Sequence, residues 1–233
     1  MVRSNIRITK LKQKRLHSLL LPALALCVGS LPATATTVLF SDLGPGNSYS
    51  SNHAFPIYGA GNPFDGYVSV TQAALFTVAG TGSLPVTEID LPVSNIDFPN
   101  TFDASIWTDS GGQPGVQLDS WLNLSTTLSG YTCCGVVSIT GISGLNLTGG
   151  QEYFMVLGPA SLTDTSNNVW NLNDQGVYGL NLYSNDGGAT WAVENSYYPE
   201  FAFDITSPEP GSLLLFGTGL IAILAVRRPK SNR

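Results

Sequence analysis

The chain has 233 residues, 43% of them hydrophobic, and a formal net charge of −6 at pH 7. Its ten Lys and Arg residues lie only in residues 3–15 and 227–233, whereas residues 36–207 contain 15 of the 16 Asp and Glu residues. A segment with a charge of about −15 repels nucleic acid, acidic polysaccharide and anionic lipid. The composition therefore excludes nucleic acid as a partner.

The first 35 residues have the three parts of a secretory signal peptide. Residues 3–15 carry six positive charges, residues 19–28 are apolar, and Ala33, Thr34 and Ala35 are small residues that suit a cleavage site. The apolar part is shorter than a membrane-spanning helix requires. We therefore expect signal peptidase to remove residues 1–35.

Residues 36–206 predict an all-β domain. They are rich in Gly, Ser, Thr, Asn and Asp, and no segment has convincing helical periodicity. Short apolar runs, some of which alternate with polar residues, are separated by turn clusters, as in a two-sheet antiparallel sandwich of jelly-roll type. The predicted strands are residues 37–40, 68–78, 86–93, 102–107, 116–124, 135–142, 153–157, 179–183 and 201–205. The clearest alternating positions are Ile89, Leu91 and Val93, and Phe102, Ala104 and Ile106.

Three aspartates are candidate Ca²⁺ ligands. Asp109, Asp174 and Asp186 each lie in a loop rich in Gly, Ser or Asn, where carboxylate and carbonyl oxygens suit Ca²⁺. Turn formation explains the same residues, because Asp and Asn side chains bond to nearby backbone groups. The EF-hand spacing is absent. No cofactor is certain from the sequence, and Ca²⁺ is the one candidate.

Cys133 and Cys134 are adjacent in a chain that we expect to enter an oxidising compartment. No other cysteine follows the predicted signal peptide. Three alternatives remain, namely a disulfide between these neighbours, an intermolecular disulfide, or two thiols. We favour the first as a rigid turn.

Aromatic residues provide the best candidate for a binding site. Trp170 and Trp191 each border a polar loop, and an exposed Trp beside Asn and Asp suits stacking on a sugar ring. Evidence for catalysis is weak, because His53 is the only histidine after residue 35 and no nucleophile-elbow pattern is present. We expect a protein without enzymatic activity. A secreted glycan-active enzyme with paired carboxylates is a less favoured alternative.

The tail has three parts. Pro208, Glu209 and Pro210 precede the uncharged segment 211–226, and a basic end at residues 227–233 follows it. Sixteen uncharged residues are slightly short of the ~18–20 of a comfortable span, so the segment fits a thin bilayer or a span with snorkelling arginines. Arg227 and Arg228 predict a cytoplasmic end.

This arrangement closely resembles the PEP-CTERM sorting signal of bacterial exosortase substrates. The resemblance implies residues 207–233 as the sorting signal, with transient anchoring in the inner membrane and processing by an exosortase close to Pro208-Glu209-Pro210.

The body shows a second resemblance. Residues 72–77, 105–115 and 145–157 are similar to the β-sandwich domains that precede interchangeable surface anchors, the choice-of-anchor group. This likeness implies a β-sandwich at residues 36–206 and carries no site residues with it.

The two resemblances together imply an exported bacterial protein of the cell envelope or extracellular matrix. We expect a structural or adhesive role in the exopolysaccharide of a biofilm, with polysaccharide as a candidate partner. The alternative is a carbohydrate-binding module, with or without a requirement for Ca²⁺.

Overall fold

The computed structural model describes residues 36–62, 68–97, 99–130, 133–194 and 198–208. The predicted signal peptide and the predicted apolar segment of the tail lie outside these ranges. Within them every regular element is a β-strand, and no helix is long and apolar enough to cross a membrane.

Fifteen strands make up the described fold, and every pairing between them is antiparallel. They are β1 (Thr36–Ser41), β2 (Ala54–Tyr58), β3 (Thr71–Thr77), β4 (Ser83–Pro85), β5 (Glu88–Leu91), β6 (Val93–Asp97), β7 (Thr101–Asp109), β8 (Pro114–Ser125), β9 (Val137–Thr140), β10 (Asn146–Thr148), β11 (Glu152–Pro159), β12 (Asn167–Asn171), β13 (Asn181–Ser184), β14 (Ala192–Val193) and β15 (Asp204–Pro208).

The strands form four sheets. The largest has the order β14-β13-β3-β11-β7-β8, and the next has the order β1-β15-β5-β9. A three-stranded sheet has the order β2-β12-β6, and β10 pairs with β4. The prediction of an all-β, antiparallel, sandwich-like fold is confirmed, but the strands are divided among more than two sheets.

Pro92 explains one of these divisions. The predicted strand 86–93 is interrupted there, so that β5 belongs to the four-stranded sheet and β6 to the three-stranded sheet. Proline has no N–H to donate to a ladder, and its fixed φ suits a point where a strand changes sheet. The Pro92 carbonyl is still used, since it accepts a hydrogen bond of 3.1 Å from Asn171 N–H.

One cluster of buried side chains joins all four sheets. It includes Ile89 of the four-stranded sheet, Phe102 of the six-stranded sheet, Trp170 of β12 and Leu147 of β10. Both predicted alternations are confirmed, because the six apolar positions named for them are all buried. Burial of these alternating positions thus fixes the register of β5, β6 and β7.

A second, smaller cluster lies on the opposite face of the six-stranded sheet. Ala73, Phe154, Val156 and Leu182 are its buried members, and Trp191 packs against them. Both faces of this sheet therefore carry apolar side chains.

β12 is a strand that alternation does not predict. Its sequence, Asn-Asn-Val-Trp-Asn, is rich in a residue that strands usually avoid. The structure uses these asparagines as buried connectors. Asn168 Nδ2 donates to the Thr101 carbonyl (2.9 Å), and Asn171 Nδ2 donates to the Ser50 carbonyl (3.0 Å). A buried amide with its hydrogen bonds satisfied is stable in a core.

Candidate functional site

An open cleft with aromatic walls lies where β2 begins. Its volume is about 150 Å³. The residues that line it are Asn52, His53, Ala54, Phe55, Leu172 and Tyr198. They come from three segments that are far apart in the sequence.

The loop that carries Asn52 and His53 is fixed by hydrogen bonds. Ser50 Oγ accepts from the backbone N–H groups of Asn52 (3.4 Å) and His53 (3.1 Å), which forms a tight turn. Ser50 N–H donates to the Leu172 carbonyl (2.9 Å), and Leu172 N–H donates to the His53 carbonyl (3.1 Å). Leu172 is fully buried, so the loop is held against a rigid part of the core.

A chain of aromatic rings connects the cleft with the core. Trp170 stacks on Phe201 with ring centroids 4.3 Å apart, and Phe201 meets Phe55 edge to face at 5.8 Å. Phe55 in turn meets Tyr198 edge to face at 5.5 Å, and the rings of Tyr198 and His53 are 5.9 Å apart. These are favourable aromatic geometries, and they hold Tyr198 at the surface on a well-packed base.

The prediction that Trp170 is an exposed sugar-stacking residue is wrong. Its side chain is 0% exposed, and its indole N–H donates to the Ala202 carbonyl at 2.8 Å. The polar residues beside Trp170 suggested a loop, but they belong to the central strand of a sheet. Trp191 is half-buried on the second cluster, so the two tryptophans do not form a pair.

The cleft offers polar groups as well as rings. Among the described residues, the Asn52 side-chain amide, His53 Nε2 and the Tyr198 hydroxyl have no hydrogen-bond partner, and Asn52, His53 and Tyr198 are exposed. His53 Nδ1 lies 3.3 Å from Ser50 Oγ. Ser50 Oγ is held in place by the two turn hydrogen bonds that it accepts, so its contact with Nδ1 orients the His53 ring. The arrangement can bind a ligand that has both apolar faces and hydroxyl groups.

The three candidate Ca²⁺ ligands lie in separate parts of the fold, with Asp109 at the end of β7, Asp174 between β12 and β13, and Asp186 after β13. Asp109 Oδ1 accepts from Gly112 N–H (2.8 Å), and Asp174 Oδ1 accepts from Ser48 Oγ (3.2 Å). In the part of the chain that the structure describes, no three His, Cys, Asp or Glu side chains are grouped so that they could hold a metal ion. A turn hydrogen bond thus explains Asp109, whereas the hydrogen bond from Ser48 Oγ connects Asp174 with a loop 126 residues away in the sequence.

Asp186 has the most complete turn network of the three aspartates. Its Oδ1 accepts from Ser184 Oγ (2.7 Å) and Thr190 N–H (2.9 Å), and its Oδ2 accepts from Thr190 Oγ1 (2.6 Å). These hydrogen bonds, from Thr190 and then Ser184, lower the pKa of Asp186 to about 2.

Cys133 and Cys134 are joined to each other by a disulfide. Both are exposed, in the connection between β8 and β9.

Two buried carboxyl groups are a feature that the sequence did not reveal. Asp42 is 2% exposed and Glu200 is 3% exposed, and one oxygen of each (Asp42 Oδ2 and Glu200 Oε1) has no hydrogen-bond partner among the described residues. Burial raises the pKa of Asp42 to about 9 and that of Glu200 to about 8. The absence of Lys and Arg from residues 36–207 was the available signal, since a buried acid there has no such partner and remains protonated.

Comparison with protein families decides the nature of the tail. Residues 208–228 match the PEP-CTERM protein-sorting motif. The chain carries a PEP-CTERM signal. This motif implies export, a membrane-anchored sorting signal at residues 208–228, and recognition by an exosortase. A search among curated proteins found no match to the chain.

Proposed function

We propose that the protein is a structural or adhesive component of an exopolysaccharide or biofilm matrix, delivered there after exosortase processing. Its signal peptide directs export, the PEP-CTERM segment spans the inner membrane for a time, and the β-sandwich body is then released to the envelope or matrix. The single observation that carries the proposal is the sorting motif at residues 208–228.

The pairing of β1 with β15 supports this proposal. Pro208, the first residue of the PEP-CTERM match, pairs with Thr36 of β1. Thr36 is the residue at which we expect the mature chain to begin. Processing at both ends would therefore leave the ladder between β1 and β15 intact.

The body suits a structural role. It is an antiparallel sandwich with a continuous core, and we propose a jelly-roll-like relationship to the choice-of-anchor domains. We propose no catalytic activity, because Ser50 and His53 form a turn contact and no acidic side chain bonds to His53 among the described residues. Sugar binding is a second candidate function, and the aromatic cleft favours it.

Substitution of Pro208-Glu209-Pro210 by three alanines tests the sorting role. In a host with an exosortase, we expect the wild-type chain to lose its tail and leave the inner membrane. The variant should stay in the inner membrane, with the mass of a chain that keeps its tail. Ser231→Ala together with Asn232→Ala, which lie after the matched residues, is the control and should be processed normally. Fractionation and intact-mass measurement check both. Equal masses and inner-membrane retention for wild type and triple-alanine variant would contradict the proposal.

A further inference from the structure

We propose that the cleft formed by Asn52, His53, Phe55, Leu172 and Tyr198 binds a sugar unit of a neutral polysaccharide. This inference rests on the proposed function, since it names the chemical class of the matrix partner. It assigns the binding to a place that differs from the two tryptophans that the sequence indicated.

The aromatic walls are the first argument. Tyr198 is 37% exposed, and its ring packs edge to face against the ring of Phe55. A sugar ring has an apolar face of C–H groups, which packs on an aromatic ring that is fixed in place. The chain of rings down to Trp170 holds Tyr198 in position before a ligand arrives, which lowers the entropy cost of binding.

The polar rim is the second argument. The Asn52 amide can donate and accept hydrogen bonds, the Tyr198 hydroxyl can do both, and His53 Nε2 can do either according to its tautomer. None of these groups is used by the described part of the fold. Sugar hydroxyls need this mixture of donors and acceptors around an apolar surface.

The charge of the body selects a neutral glycan. Residues 36–207 contain no Lys or Arg and 15 acidic residues, so an anionic polysaccharide is repelled. A cationic polysaccharide finds no carboxylate among the residues that line the cleft. A neutral polysaccharide is not repelled by the acidic residues and needs no carboxylate in the cleft.

The second cluster on the six-stranded sheet is the competing location. Trp107 and Trp191 are half-buried there and pack against the same four buried residues. Neither tryptophan lines the Tyr198 cleft, whose walls come from three segments. A variant of Trp191 therefore distinguishes the two locations.

Native gel electrophoresis with polysaccharide in the gel tests the inference. The full chain, solubilised in a detergent without a sugar head group, is run in gels containing a soluble β-glucan, a galactomannan, a xyloglucan or, as the anionic comparison, alginate. We expect retardation by at least one neutral polysaccharide and none by alginate. Failure of all three neutral polysaccharides to retard the chain would overturn the inference.

Variants locate the site. Tyr198→Ala should weaken binding about tenfold or more, as expected for an exposed aromatic anchor, and Tyr198→Phe should retain most of it. Tyr178→Ala is the matched control, because Tyr178 is 66% exposed and does not line the cleft, and Trp191→Ala should also bind normally. Unchanged binding by Tyr198→Ala, or loss in Trp191→Ala alone, would overturn the assignment to the cleft.

Two further measurements keep the result interpretable. Melting temperatures check that the variants fold. His53→Ala probes the same cleft through an exposed side chain, and we again expect a loss of binding. Binding to glycan does not depend on tail processing. A protein that is processed but binds no neutral glycan contradicts this inference alone. A protein that binds glycan but keeps its tail contradicts the proposed exosortase processing.

Discussion

Asp42 is a buried carboxyl group that directly follows β1. Its Oδ1 accepts a hydrogen bond of 2.7 Å from Phe203 N–H, and the carboxyl groups of Glu200 and Asp204 lie near enough to disfavour its charge. Asp204 faces Asp90 across the ladder between β15 and β5, and its pKa is raised by burial, with a smaller contribution from Asp90. Asp42 and Glu200 are therefore neutral at pH 7.

We predict that the free energy of unfolding falls as the pH rises from about 4 to about 9. The folded chain keeps protons on Asp42 and Glu200 up to pKa values of about 9 and 8, while the unfolded chain loses them near 3.8 and 4.5. Their contribution to stability is thus complete below about pH 4 and is lost as the pH rises through the folded pKa values. Urea denaturation at pH 5, 7 and 9 measures this slope.

Asp42→Asn isolates one of these groups. The amide oxygen can still accept from Phe203 N–H, and the side chain cannot ionise, so we expect a shallower pH slope and a higher stability at pH 9. Asp186→Asn is the control. Because the pKa of Asp186 is lowered to about 2, its loss should not change the slope between pH 5 and 9. A slope that Asp42→Asn leaves unaltered would show that Asp42 is ionised in the folded chain.

At the scale of the strand, β12 shows what side-chain amides contribute. Asn168 is fully buried, donates to the Thr101 carbonyl of β7 and accepts from Asn95 Nδ2 of β6 at 3.1 Å. One side chain thereby connects three strands. Each partner would be left without this hydrogen bond if the amide were removed.

We predict that Asn168→Ala destabilises the protein by about 1–3 kcal/mol, because the Thr101 carbonyl loses a donor and Asn95 Nδ2 loses one of its acceptors in a buried place. Asn167→Ala is a matched control on the same strand, because Asn167 is half-buried and no hydrogen bond of its side chain is present among the described residues. It should change stability by less than about 0.5 kcal/mol. Chemical denaturation of both variants measures the difference, and equal effects would contradict a connecting role for Asn168.

The contrast between β7 and β12 explains how much of the fold the sequence predicts. In β7, every second residue from Phe102 to Ile106 is apolar and buried, so the pattern alone gives the strand and its inner face. In β12, burial is made favourable by hydrogen bonds to distant residues, which a local pattern cannot show. The division at Pro92 likewise depends on which sheet accepts each half of the run.

Across the whole molecule, the same distinction applies to function. The sorting signal is a continuous segment, so it can be recognised in the sequence. The match of residues 208–228 to the PEP-CTERM motif confirms that prediction. The cleft is assembled from residues 52–55, Leu172 and Tyr198, which only the folded chain brings together. Its rings were visible in the sequence as aromatic residues among polar ones, but nothing local distinguished the exposed Tyr198 from the buried Trp170.

The charge of the body leads to a last prediction, about salt. With Asp42 and Glu200 protonated, residues 36–207 carry about −13 at pH 7 and have no Lys or Arg to offset it. Repulsion among these carboxylates destabilises the compact state, and salt weakens it because the Debye length falls from about 30 Å at 0.01 M to about 8 Å at 0.15 M. We expect the melting temperature to rise by about 2–4 °C over this range, corresponding to about 1 kcal/mol.

Comparison of ions separates screening from a specific site. Screening predicts that NaCl and KCl act equally and that MgCl₂ and CaCl₂ act equally at lower concentrations, with no saturation in the micromolar range. A specific Ca²⁺ site would instead give a saturating rise with micromolar CaCl₂ that MgCl₂ does not reproduce. Asp109, Asp174 and Asp186 are not grouped as metal ligands, and Asp186 already accepts three hydrogen bonds, so we expect the equal response. A melting temperature that no salt changes would contradict the repulsion itself.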